Sequence, residues 1–146
     1  MIYFDTTYIL KCYFKEPGWE EVRDLARQHE QVACSLYGKM EVHAALHRKL
    51  RENDLAREQL EIIFRQFDLD ETQRLWSWMP ITESIMASVI SAIRSLPERV
   101  FLRTADALHL VTAKDGSFRE IYSNDTHLLA AARHFEIEGK NVISIL

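Results

Sequence analysis

Short apolar runs of three or four residues, separated by longer stretches of helical periodicity, leave this chain few folds to adopt. Ile2-Tyr3-Phe4 opens the series and ends at Asp5, where Thr6 and Thr7 can start a helix through Ile9, Leu10 and Tyr13. Pro17-Gly18 breaks that helix, and Trp19 to Gln28 resumes the pattern on Val22, Leu25 and Ala26. A second run, Val32-Ala33-Cys34, leads to Ser35, a favoured helix cap, and to a long helix through Met40, Ala44, Ala45, Leu46 and Leu50. After a break at Asn53-Asp54, another helix follows on Leu55, Leu60, Ile63, Phe64 and Phe67. Leu75 to Ile81 is aromatic and β-branched and reads as a strand or extended link. Thr82 can cap a helix through Ile85, Met86, Val89, Ile90 and Ile93, which Leu96-Pro97 ends. A further helical pattern runs from Thr104 over Leu108, Leu110, Val111 and Ala113 to Asp115-Gly116. Ile121-Tyr122-Ser123 reads as a strand, Asp125 to Phe135 as a helix, and Asn141 to Leu146 as a final strand. Short apolar strands alternating with helices predict an α/β fold, with a parallel sheet covered on both faces.

The chain has 146 residues, enough for one domain with a proper core, and shows no repeat, linker or second domain. Lysine and arginine number 18 against 22 acids, a formal charge of −4. That balance argues against holding nucleic acid by bulk charge, while leaving room for a local basic face. Cys12 and Cys34 are too few and too isolated for a zinc site or a disulfide framework, and read as buried free thiols. The N-terminus lacks the layout of a signal peptide, and no apolar run approaches a membrane span. The cytoplasm is therefore the expected compartment, with no membrane partner.

Ligands of open parallel sheets gather beyond the carboxyl ends of the strands. Asp5 follows the first strand and Asp125 follows Ile121-Tyr122-Ser123, although aspartate in such a place is also an ordinary helix cap. Asp106 is harder to explain away. Leu102, Leu110 and Ala113 share its helical face, and a carboxylate there needs a paired base or a cation; Arg103 is the local candidate. Glu41 lies early on its helix beside the small Ala44 and Ala45, and alone reads as a solvated glutamate. Carboxylates brought to one cleft would repel each other unless a cation shared the site, and hard oxygen donors favour Mg²⁺ or Mn²⁺ over zinc. Convergence of four residues so far apart does not follow from their spacing.

Longer motifs supply what spacing does not. Met1-Ile2-Tyr3-Phe4-Asp5-Thr6-Thr7-Tyr8-Ile9-Leu10, Tyr13-Phe14-Lys15-Glu16-Pro17-Gly18, the helix from Ser35 through Glu41 to Ala45, Thr104-Ala105-Asp106-Ala107-Leu108-His109-Leu110, and Tyr122 to Ala132 resemble segments of the PIN-domain ribonucleases. Within that family the chain is similar to the VapC-type toxins of toxin–antitoxin pairs. The resemblance spans nearly the whole chain and is weakest between Asp54 and Met79. It implies one three-layer α/β/α PIN domain over residues 1–146 and a metal-dependent endoribonuclease. In that picture Asp5, Asp106 and Asp125 hold Mg²⁺ or Mn²⁺, and Glu41 completes the site as a ligand or as an acceptor orienting the attacking water. Thr6 and Ser123 support the aspartates as hydroxyls one step out. A homodimer and an antitoxin that wraps the toxin are the implied protein partners, and RNA is the substrate.

Other features carry plainer readings beside functional ones. Arg48, Lys49 and Arg51 lie in the densest basic run, and form either a solvated helix face or a track for the RNA backbone. Arg103 either pairs with Asp106 or meets a phosphate. Trp76 and Trp78 read as one core and one partner-facing aromatic, and His109 as a structural histidine. A haloacid-dehalogenase-type phosphatase would want an aspartate at Thr7. A DNA nuclease of the wider PIN group would carry more acids, and a non-catalytic binding module would not need four intact carboxylates.

Overall fold

The computed structural model describes residues 1–144. Strands β1 (Ile2–Tyr3), β2 (Val32–Ser35) and β3 (Trp76–Met79) pair in parallel, with Ile2 opposite Val32 and Val32 opposite Trp76. Strands β4 (Glu120–Tyr122) and β5 (Glu138–Lys140) form a second parallel pair. A parallel bridge between Phe4 and Tyr122 joins the two pieces, and the Asp5 N–H donates to the Tyr122 carbonyl at 3.1 Å. The strands thus lie in the order β3-β2-β1-β4-β5.

Side-chain alternation along these strands sorts the core into two halves. Tyr3, Ala33 and Ile121 face one way, onto Ile85, Val89, Leu110 and Leu128. Those residues belong to helices α5 (Glu83–Ser95), α6 (Thr104–Asp115) and α7 (Thr126–Ala131). Phe4, Val32 and Cys34 face the other way, onto Ile9, Val22, Val42, Leu46 and Phe67. These come from α1 (Thr6–Tyr13), α2 (Trp19–Arg27), α3 (Leu36–Arg51) and α4 (Arg57–Thr72). The result is the expected α/β/α layering, each sheet face burying aliphatic and aromatic area at roughly 25 cal/mol per Å².

Helix starts cluster at one edge of the sheet. Asp5, Ser35, Thr82 and Asp125 cap α1, α3, α5 and α7, each side-chain oxygen accepting a backbone N–H of the first turn. Asp5 stands two residues past the end of β1, and Asp125 three residues past the end of β4. This places polar side chains beyond the carboxyl ends of the strands. Gly18 precedes α2 with φ of 89°, a left-handed conformation that turns the chain after Pro17 and favours glycine.

Two expectations change. The last strand is Glu138–Lys140 and not a run starting at Asn141; positions 145 and 146 of the expected strand lie outside the described residues. Glu138-Gly139-Lys140 is an edge strand held by backbone pairing to β4 and by a Lys140–Glu120 ion pair at 2.7 Å, so it needs no apolar run. Val142 and Ile143, which suggested a strand, pack instead on the α1–α4 side. The helix after Asp125 ends at Ala131 and tightens into a 3₁₀ turn, Ala132–Phe135. Trp76 is buried in the core as expected, its Nε1 donating to the Tyr13 hydroxyl at 2.6 Å, and half-buried Trp78 donates Nε1 to Glu71 at 2.7 Å. Cys34 is fully buried and Cys12 half-buried, and burial pushes the Cys12 thiol up to about 12. Among the described residues no helix is long and apolar enough to cross a membrane.

Candidate functional site

Asp5 sits where β1 turns into α1 and is 3% exposed. Its Oδ1 accepts the Tyr8 N–H at 3.0 Å and the Thr7 hydroxyl at 2.8 Å, and its Oδ2 accepts the Ser123 hydroxyl at 2.5 Å. Burial raises the Asp5 carboxyl above the usual carboxylate range; the His109 ring and the bonds from Ser123, Tyr8 and Thr7 pull it back only in part. Ser123 also accepts the Asp125 N–H at 2.9 Å, so one hydroxyl ties Asp5 to the backbone of Asp125.

Asp106 is 6% exposed on the first turn of α6. Arg103, just before that helix, donates Nε to Asp106 Oδ2 at 3.0 Å and Nη2 to Asp125 Oδ2. The local partner foreseen for Asp106 is therefore present, and it holds Asp125 as well. The Arg103 side chain is 59% exposed, lying over the two acids from the solvent side.

Glu41 enters from α3. Its Oε1 accepts the Thr6 hydroxyl at 2.6 Å and lies 3.3 Å from His109 Nε2. Burial works against the charged carboxylate, yet the bonds from His109 and Thr6 and the attraction of His109 and Arg103 outweigh it. The Glu41 carboxyl stays below its usual range. Thr6 thus supports Glu41, while Thr7, which the sequence did not single out, supports Asp5. His109 is 2% exposed and touches Glu41, Thr6 and Tyr3, whose hydroxyl is 2.9 Å from Nδ1. Gly38, one turn before Glu41, lets α3 approach: a Cβ there would stand 3.3 Å from both His109 Cε1 and Thr6 Oγ1, and 2.4 Å from Cys34 Sγ.

Short links join the acids: Asp5 to Asp125 through Ser123, Asp125 to Asp106 through Arg103, and Glu41 to Thr6, the residue after Asp5. As the side chains stand, no three His, Cys, Asp or Glu among the described residues are grouped as ligands of one ion. The donor set nonetheless fits a hard divalent cation. It consists of carboxylates and hydroxyls, one carboxylate is buried without a cation of its own, and two others already share the Arg103 guanidinium.

The basic run lies apart. Arg48 is two turns beyond Glu41 on the same face of α3, about 10 Å along the axis at 1.5 Å per residue. Arg48 and Arg51 are exposed, whereas Lys49 is engaged by Glu16 at 3.6 Å and by the Phe14 ring, 4.6 Å to its centroid. A cavity of about 690 Å³ between α5 and the end of α6 is lined by Ser88, Ser95, Lys114 and Phe135, away from the acids.

Residues 2–134 match the family model of the PIN domain. No curated protein matches the chain. Among solved structures, FitAB bound to an IR36 DNA fragment aligns with a TM-score of 0.71 at 17% identity, over 100% of this chain and 98% of that one. FitAcB from Neisseria gonorrhoeae gives 0.71 at 18% identity, over 99% of this chain and 100% of that one. VapBC2 from Rickettsia felis, bound to a DNA fragment from its promoter, gives 0.66 at 14% identity, over 97% and 98%. At these identities the structural likeness is one of fold, while the family match covers nearly the whole chain. By that match, and with an α/β/α architecture to agree with it, the chain belongs to the PIN-domain family.

Proposed function

We propose that the protein is a metal-dependent endoribonuclease, the toxin of a type II toxin–antitoxin pair, with residues 1–146 forming one PIN domain that acts in the cytoplasm. PIN domains are in general nucleases, and nucleases of this fold typically use divalent metals. One observation carries the reading: carboxylates from the end of β1, from α3, from α6 and from the cap of α7 lie at the carboxyl edge of the sheet, the three aspartates linked through Ser123 and Arg103 and Glu41 bonded to Thr6 beside Asp5. Asp5, Asp106 and Asp125 would hold Mg²⁺ or Mn²⁺, with Glu41 as a further ligand or as the acceptor that orients the attacking water. A bound divalent ion would supply an activated water and offset the charge that develops on the phosphate.

The chain's own groups do the rest. Ser123 and Thr7 fix the Asp5 carboxylate, and Thr6 fixes Glu41, so the acids keep their geometry when their charges are compensated. Arg103, mostly exposed, can leave Asp106 and Asp125 for a phosphate oxygen, for which its forked donors are suited. Arg48 and Arg51 continue a basic track along α3, with Lys49 beside them. The fold shared with VapBC2 supports an antitoxin partner; a homodimer is what the likeness of the motifs to VapC-type toxins implies. Exposed Met86, Ile90 and Ile93 form a stripe on α5 of the kind protein partners cover.

The test is cleavage of total cellular RNA by the purified protein, with Mg²⁺ or Mn²⁺ and with EDTA, beside Asp5→Asn and Asp106→Asn. Discrete fragments that require both metal and aspartates are expected. RNA left intact in every condition would rule the nuclease out and favour a binding module.

A further inference from the structure

We propose that His109 is a positioning residue, whose Nε2–H is set by a chain of hydrogen bonds from the Ser35 amide through Tyr3 and holds one oxygen of Glu41. What Glu41 does in catalysis rests on the nuclease reading; what His109 does to Glu41 rests on geometry alone.

The assigned direction of the proton chain runs from Ser35 to Glu41. The Ser35 N–H donates to the Tyr3 oxygen at 2.9 Å. Tyr3 has a single proton to give, and of its two side-chain neighbours His109 Nδ1, 2.9 Å away, is a far stronger acceptor than the Cys34 sulfur. With Nδ1 accepting, the neutral ring carries its proton on Nε2. Nε2 faces Thr6 Oγ1 at 3.1 Å and Glu41 Oε1 at 3.3 Å, and the Thr6 proton itself goes to Glu41 Oε1 at 2.6 Å. Oε1 is thereby held by Thr6 and by His109, directly and through Thr6. Among the described residues neither donor reaches Oε2, which is left for a ligand or a water.

The placement of His109 is more than packing. It stands one turn after Asp106 on α6, so the two share a face of one rigid helix. Through His109 that helix also sets where Glu41 of α3 lies, coupling two acids that are 65 positions apart in the sequence (106 − 41). Gly38 provides the space in which the ring and Thr6 meet α3.

The experiment has two arms on the full chain. In ¹⁵N-histidine-labelled wild type, long-range proton–nitrogen spectra should show His109 as the Nε2–H tautomer, and Tyr3→Phe should shift that pattern. In RNA cleavage, His109→Leu should lower kcat by about 10-fold to 100-fold with KM little changed, and His109→Gln, which restores an amide N–H, should recover much of the loss. An Nδ1–H tautomer in wild type would overturn the proposal, as would Gln and Leu variants impaired alike. If wild type cuts no RNA, the nuclease reading fails on its own. The spectra and calorimetric titration with Mg²⁺ then decide His109, a weakening of about 10-fold or more in the Leu variant being expected. Should the Leu variant not fold, the wild-type spectrum and the Gln variant decide it.

Discussion

Arg103 Nε lies 3.0 Å from Asp106 Oδ2, three residues further along the chain. The same guanidinium pairs with Asp125, 22 positions further along the chain. A cation of the chain itself thus stands between two carboxylates, and it keeps them from repelling each other in the absence of a metal. Its side chain is mostly exposed, so solvent screens the pair and the arginine is free to swing away.

Arg103→Ala should therefore separate two properties. Without metal the variant should be less stable, by about 1 kcal/mol, because Asp106 and Asp125 lose their shared cation while solvent screens much of the effect. Mg²⁺ affinity should rise by about tenfold, since binding no longer has to displace the guanidinium; tenfold is about 1.4 kcal/mol. Calorimetric titration and thermal unfolding with and without EDTA measure both. Unchanged or weaker Mg²⁺ binding would show that Arg103 does not compete for the acids.

Asp5 and Glu41 should give the metal-free protein two opposite pH dependences. Burial raises the folded-state pKa of Asp5, so its contribution is fully present below the unfolded value, about 3.9, and is lost as pH rises through the folded value. Glu41 is held below its ordinary value, so its contribution is present above that value and is lost as pH falls through the lower folded one. At neutral pH in EDTA, Asp5→Asn should raise Tm, each kcal/mol recovered being worth about 2–4 °C. It should also flatten the decline of Tm between mildly acidic and neutral pH. The same variant should lose the thermal stabilisation by Mg²⁺ that ligand binding to the folded state requires. A lower Tm in EDTA at pH 7 would contradict the cost assigned to the buried charge.

What could be read in the sequence was local. Asp5, Ser35, Thr82 and Asp125 follow apolar runs closely enough to announce both a strand end and a helix start, and the layering follows from them. Glu138-Gly139-Lys140 escaped because an edge strand is held by backbone bonds and carries no apolar signature. In the site, Asp106 was conspicuous because its neighbours are apolar. Its meeting with Asp125, and that of Asp5 with Ser123 across 118 positions, is tertiary and was reachable only through the family motif. His109 gave no local sign, since Tyr3 is 106 positions away and Glu41 68. Gly38 did carry a signal: a glycine inside a helical pattern usually marks a close approach.

The arginines of α3 should not behave like the lysine between them. Arg48 and Arg51 are exposed, while Lys49 is tied to Glu16 and covers Phe14. If the exposed pair meets the RNA backbone, Arg48→Ala with Arg51→Ala should reduce the slope of log affinity against log salt by about 0.7 for each arginine. Lys49→Ala should leave the slope nearly unchanged and cost stability instead. Binding of a catalytically silent Asp106→Asn protein to single-stranded RNA at several salt concentrations reads this directly. A slope that ignores the arginines would return them to a solvated face.

Gly38→Ala tests the packing on which the Glu41 geometry depends. In an open helix the change should stabilise, because alanine is favoured over glycine by about 1 kcal/mol. Here the added Cβ would stand 2.4 Å from Cys34 Sγ, a short side chain in the fully buried β2, and 3.3 Å from His109 and Thr6. Something must move, and overpacking of this kind costs typically about 1–3 kcal/mol, enough to reverse the sign. Cys34→Ala opens the tightest of these contacts, so the double variant should be more stable than the sum of the two single changes. Denaturant unfolding of the four proteins gives the coupling energy, expected on the order of 1 kcal/mol. Additive changes would mean that α3 shifts away from β2 without resistance; the coupling would show that Gly38 holds α3, and with it Glu41, against the acids of the sheet edge.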